Sequence, residues 1–149
     1  MDDGDDPGGI RPRVLISDRQ GLSVDARALA DLARETLIEE GLDRAELSLS
    51  FVEDTEIADL HERFMDEPGP TDVLSFPLDD VDEEGTRILG DVVVAPAVAA
   101  RNNPDDAAGE LRLLVVHGIL HLLGYDHDED DARARMWERQ ERYSAVRSP

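Results

Sequence analysis

The chain has no cysteine and no lysine among its 149 residues. Without cysteine there is neither a disulfide framework nor a thiolate metal site, so a transition metal would have to be held by imidazole and carboxylate. Without lysine, all 15 basic residues are arginines, the better residue for two-point contacts to phosphate. Long hydrophobic runs are also missing. No apolar stretch nears membrane-spanning length, and the N-terminus lacks a basic-then-apolar signal pattern. A cytoplasmic protein with no membrane partner is expected. Positive charge is scarce: 36 acidic residues leave a formal net charge of −21. The plainest reading of that excess is a solvated acidic surface. It argues against a broad, non-specific nucleic-acid footprint, because phosphates are repelled on average, and it leaves room for a local basic groove.

The length suits one domain with a sizeable core. Residues 1–10, MDDGDDPGGI, have the composition of a disordered acidic tail, which leaves 11–149 as a single domain. RVLIS (13–17) reads as a first strand. Ser23 is placed to cap a helix to about Glu40, with Val24, Ala28, Leu29, Leu32, Ala33 and Leu37 as its inward stripe and Gly41 as its stop. ELSLSFV (46–52) alternates polar and apolar residues, predicting a strand with one buried face. A short helix opens at Asp54 or Thr55, with Ile57, Leu60 and Phe64 on one side. EPGPTD (67–72) is a turn by composition. VLSFP (73–77) is a short strand that Pro77 should stop, since proline lacks the ladder N–H, and DDVDEEG (79–85) is an acidic loop. ILGDVVVA (88–95) reads as a buried strand, followed by a short helix from Ala95 to about Arg101.

A helix beginning at Asp105 or Asp106 is apolar nearly all round, from Leu111 to Leu123, as a central buried helix should be. The final helix, from about Glu129 to Tyr143, carries acids first and arginines later, an order that suits the helix dipole. The order of elements predicts an α+β fold: one domain, a small mixed β-sheet of about four strands, a buried helix and others around it.

Three of the four histidines fall in HGILHLLGYDH (117–127). His117 and His121 are four apart, so they share one helix face. A third ligand further along the same straight helix would be too distant to close a site. Gly124 can take the left-handed conformation that turns the chain back, and His127 then lies on the returning segment. Three imidazoles and one open position make a catalytic Zn²⁺ geometry, so this helix is a candidate metal-ligand helix holding one ion with water in the fourth place. Two unpaired imidazoles among leucines are costly to bury, and a shared metal removes that cost. The spacing also matches H-E-x-x-H-x-x-G-x-x-H of the metzincin proteases, except that Gly118 stands where those proteases have their general-base glutamate.

HGILHLLGYDH resembles the H-G-x-L-H-L-x-G-Y-D-H signature of the YbeY family of metal-dependent endoribonucleases. PTDVLSFP (70–77) and LGDVVVAP (89–96) resemble that family's other two landmarks, in the same order. The likeness covers about residues 46 to 128. It implies a single α+β domain with zinc on His117, His121 and His127. It also implies cleavage of single-stranded RNA in ribosomal RNA maturation and ribosome quality control, with the ribosome or its associated proteins as partners. Many relatives place an arginine after an aromatic just before the TDVLSFP motif; here Phe64 is followed by Met65.

Several further residues have more than one role open to them. Asp126 is a candidate catalytic base, a partner that orients the His127 ring, or a turn-forming aspartate. Asp72 and Asp91, read as strand starts, either flank the cleft and contact substrate or serve as strand-end caps. Ser75 faces either the site or the core. His61 reads as a boundary residue on a helix. Arg135, Arg139 and Arg142 share a helix face and are expected to pair with Glu138, Glu141 and nearby acids rather than with phosphate. Met136 and Trp137 read as packing residues. Two other functions compete with the nuclease: a metzincin-like metalloprotease, and a non-catalytic ribosome-assembly factor with a structural metal.

Overall fold

In a computed structural model that describes residues 11–65, 71–125 and 129–146, strand β2 (Ala45–Val52) runs between two parallel neighbours. These are β1 (Arg13–Arg19) and β4 (Arg87–Val94); β3 (Val73–Val81) closes the far edge antiparallel to β4. The four-stranded mixed sheet is the one expected. Its central position changes the reading of β2: the strand is buried on both faces toward its end, where Ser50 and Val52 are covered as well as Leu47, Leu49 and Phe51.

Helix α1 (Ala26–Glu39) is capped by Asp25, whose carboxylate accepts from Ala28 N at 3.1 Å, not by Ser23. Its buried stripe runs Leu29, Ala30, Ala33, Thr36 and Leu37, so Ala28 points outward. Gly41 ends the helix as expected, with φ 83° and its N–H bonded to Ile38 O. Helix α2 (Asp54–Met65) buries only Ile57, and Phe64 stays exposed, its ring 5.4 Å edge-on from Phe76.

β3 does not stop at Pro77. The strand continues to Val81, and only Asp82 to Thr86 form the turn. Proline is tolerated because β3 is the sheet edge, where a missing N–H costs no ladder bond. The register shifts between Pro77 and Asp80, with Asp79 at φ 54°. Gly90 faces Pro77 across this irregularity; a Cβ there would sit 2.1 Å from Phe76 O, so the chains meet only because position 90 is glycine.

Helix α3 (Pro96–Asn102) leads to α4 (Ala107–Leu122), capped by Asp106, whose carboxylate accepts from Gly109 N at 2.9 Å. Leu111, Leu114, Val115, Ile119 and Leu122 of α4 pack with Leu47, Leu49, Val92 and Val94 on one sheet face. The opposite face is covered in part by α2, through Val52, Ile57, Leu74 and Val93. Helix α5 (Asp130–Ser144) lies against the outer side of α4, with Met136 wedged between Val116 and Leu120. Among the described residues no helix is long and apolar enough to cross a membrane. The 1–10 tail and most of the 67–72 turn fall outside the described residues.

Candidate metal centre and cleft

α4 meets the sheet most closely at Gly118. A Cβ at that position would lie 2.6 Å from Val92 Cγ1, 3.2 Å from Val73 Cγ2 and 3.3 Å from Ser75 Oγ. Ser75 donates its hydroxyl to Gly118 O at 2.9 Å and locks the contact. Position 118 therefore faces the sheet, where a glutamate side chain has no room. The general base of the protease pattern is sterically absent as well as chemically absent.

This contact sets the height of His117 and His121 above the sheet. Both are half-buried, and their rings stand 4.6 Å apart, centroid to centroid, at 75°. His117 Nδ1 is 2.7 Å from Oε1 of Gln140, which is itself buried. An amide oxygen can only accept, so the proton sits on Nδ1 and the lone pair on Nε2. The Trp137 ring stands edge-on to His117 at 6.2 Å.

Two hollows flank this pair. A cleft of about 310 Å³ is lined by His117, His121, Ser75, Val73, Pro77 and Met65. A second of about 280 Å³, on the other side of His117, is lined by Asp72, Glu110, Trp137 and Gln140 among others. Burial holds the Glu110 carboxyl above its usual range, helped by the neighbouring charges of Asp72 and Asp106.

Past α4, Gly124 takes φ 97°, and Tyr125 N–H reaches back to Leu120 O at 3.0 Å. The chain turns at the glycine as the spacing predicts. Tyr125 then donates its hydroxyl to Glu40 Oε1 at 2.7 Å, while Tyr143 OH and Arg139 Nε engage Glu40 Oε2. Burial, then the bond to Glu40, pushes the Tyr125 phenol up to about 12. This clamp joins the end of α1, the turn after α4 and helix α5.

The predicted residues are thus partly assembled. His117, His121 and Ser75 come together in the cleft, and Asp72 lines the adjoining hollow, tied to Asn102 at 3.3 Å. Asp91 does not start a strand: it lies inside β4, exposed. Its neighbours Val92 and Val93 face α4 and α2 respectively, so alternation puts Asp91 on the sheet face away from the cleft. His127 and Asp126 lie outside the described residues. Among the described residues no group of three or more metal-binding side chains converges. His61 is half-buried on α2. Arg142 pairs with Glu138 as expected, whereas the partner of Arg139 is chiefly Glu40. Met136 is fully buried, and Trp137 packs against the Val116, Leu120 and Met136 cluster as expected, with its ring edge-on to His117.

Sequence reading passed over Gln140 and Glu110, and gave Glu40 no role beyond ending a helix. For Gln140 a signal existed: Met136, Gln140 and Ser144 recur at intervals of four and are the buried stripe of α5, so a glutamine there was facing inward.

A family model described as Endoribonuclease YbeY matches residues 15–146. Similar proteins include Endoribonuclease YbeY of Acidothermus cellulolyticus, 50% identical over 138 residues that span 83% of this chain and 84% of the relative. The protein of that name from Beutenbergia cavernae is 47% identical over 135 residues, spanning 84% and 90%. Among solved structures, the solution structure of TM1509 from Thermotoga maritima aligns with a TM-score of 0.58 at 31% identity, over 88% of this chain and 86% of that one.

Proposed function

Because the chain belongs to the YbeY endoribonuclease family, we propose that it is a zinc-dependent, single-strand-specific endoribonuclease acting in ribosomal RNA maturation and ribosome quality control. One Zn²⁺ is held by His117, His121 and His127. The protein works in the cytoplasm on ribosomal RNA, with the ribosome or its associated proteins as partners.

The observation that carries this reading is the hydrogen bond from His117 to Gln140 beside His121. The donor set suits a borderline cation: neighbouring imidazoles on one helix face, one with its tautomer held so that Nε2 points its lone pair outward. The chemistry supplied by Zn²⁺ bound there is Lewis acidity toward a water and a phosphoryl oxygen.

The remaining work falls to the chain. Gln140 keeps the proton on His117 Nδ1. Ser75, its hydroxyl engaged by Gly118 O, fixes α4 against the sheet and so positions the residue before Gly118. Glu110, a carboxyl raised above its usual range in the hollow beside His117, is suited to exchange a proton there. Asp126 keeps the candidate role of base. Met65 offers the cleft no phosphate donor. A protease is not supported, since the glutamate it requires has no space at position 118.

Metal analysis combined with cleavage of single-stranded RNA and of casein tests the proposal. His121→Ala is expected to lose bound metal and RNA cleavage together, the rate falling by about a thousandfold or more, with casein untouched by either protein. Full RNA cleavage by a metal-free His121→Ala protein, with contaminating nuclease excluded, would refute it.

A further inference from the structure

A third hollow, of about 580 Å³, opens beyond the end of α4. Glu40, Leu42, Arg87, Tyr125 and Arg135 are among the residues that line it. Arg135 makes no hydrogen bond or ion pair with any described residue. Most arginines of this acidic chain are spent on carboxylates: Arg19 on Glu56, Arg101 on Asp54, Arg139 on Glu40, Arg142 on Glu138. Arg87 touches Asp79 at 3.4 Å between exposed side chains, a contact that holds the guanidinium only weakly. The acid in the lining, Glu40, is already engaged on both oxygens, by Tyr125 on one and by Tyr143 and Arg139 on the other. Two available guanidiniums therefore share a concavity whose carboxylate is neutralised in place.

We infer that Arg135 and Arg87 form a phosphate-binding subsite for a flanking nucleotide of the RNA strand. The inference rests on the ribonuclease reading above. The hollow opens at the same end of α4 that carries His121: Gly124 and Tyr125, which line it, follow His121 by three and four residues. A strand crossing that end of α4 is the path by which one RNA would engage both. A guanidinium presents the forked donors that match a phosphodiester's two free oxygens.

The test uses the metal-loaded protein and a short single-stranded RNA analogue methylated on its ribose hydroxyls. Binding is titrated across a salt series. Arg135→Gln is expected to weaken binding about tenfold and to lower the slope of log K against log salt by about 0.7, the loss of one single-strand phosphate contact. Arg87→Gln should do the same to a smaller extent. Metal content and thermal midpoint should stay at wild-type values, since both side chains are exposed. Arg27→Gln, which removes another described arginine without a partner, on α1, should leave binding unchanged. If Arg135→Gln and Arg87→Gln bind the analogue with wild-type affinity and salt slope, and cleave the unmethylated RNA at the wild-type rate, the subsite is overturned and the ribonuclease reading stands. If the wild type neither binds nor cleaves RNA, both fall. A loss of inorganic phosphate binding in Arg135→Gln with RNA binding intact would also overturn the subsite, leaving a small-anion site instead.

Discussion

The two ends of α4 are built for opposite charges. At its N-terminus stand Asp106, the cap, then Glu110 in the first turn, with Asp72 close by. At its C-terminus stand His121 in the last turn and, past the bend, the arginines of α5. Both arrangements are stabilised by the helix dipole, which favours anions at the first turn and cations at the last. The comparison shows that a net charge of −21 describes an average and not a surface. Around the histidine pair one hollow is lined by carboxylates, and the hollow past the bend is lined by arginines. An anion is repelled at the first and better tolerated at the second.

The largest effect should come from the middle, where the charges of neither end are altered. Gln140→Ala frees the His117 ring to rotate and lose its tautomer. Metal affinity is expected to fall about 10- to 100-fold, read by competition with a chelating dye, while the two end hollows keep their lining charges. An unchanged affinity would mean that the ring is held by something other than Gln140.

Next in size is the clamp at the C-terminal end. Tyr125→Phe removes one hydroxyl from Glu40 and should cost about 1 kcal/mol of stability, read by denaturant melts. The effect carries a pH signature. The Tyr125 phenol, raised in the folded protein to about 12, titrates near 10 when unfolded. Its contribution is therefore complete below about pH 10 and is lost as pH rises toward 12. A wild-type-minus-variant gap that stays constant through that window would disprove the assignment.

The smallest effect belongs to the N-terminal end. Glu110 is raised above 4.5 by burial and by Asp72 and Asp106, so the folded state holds its proton more tightly than the unfolded one. Stability from this group is full below the unfolded value and falls as pH rises through the folded one. Glu110→Gln should therefore stabilise the protein slightly at neutral pH, with the gain vanishing in acid. A thermal midpoint that drops at neutral pH would show that the charge at this end is a structural need and not a strain.

Much of this was legible from local pattern. The α4 histidine pair, the turn at Gly124 and the stop at Gly41 follow from helical period and from the conformational freedom of glycine, which act within a few residues. The continuation of β3 through Pro77 was hidden because the rule against proline in a strand depends on whether the strand is central or at an edge, and that is a property of the sheet. Asp91 was misplaced for a related reason: the face it occupies depends on which side of β4 receives α4. Gln140 lies 23 residues from its histidine, and Glu40 lies 85 from Tyr125. No periodicity links positions so far apart.

By itself the sequence determined which groups are available. It supplies imidazoles at helical spacing, no thiolate, arginine as its only strong base, and a glycine where the chain must bend. Tertiary packing decided how those groups are used: which tautomer His117 holds, why position 118 has no room for a side chain, which acids raise Glu110, and which arginines are left without an acid. The reason is range. Backbone propensity and side-chain period act over a few residues, whereas a hydrogen bond, a desolvated carboxyl or a close approach of helix to sheet exists only once distant segments share one place.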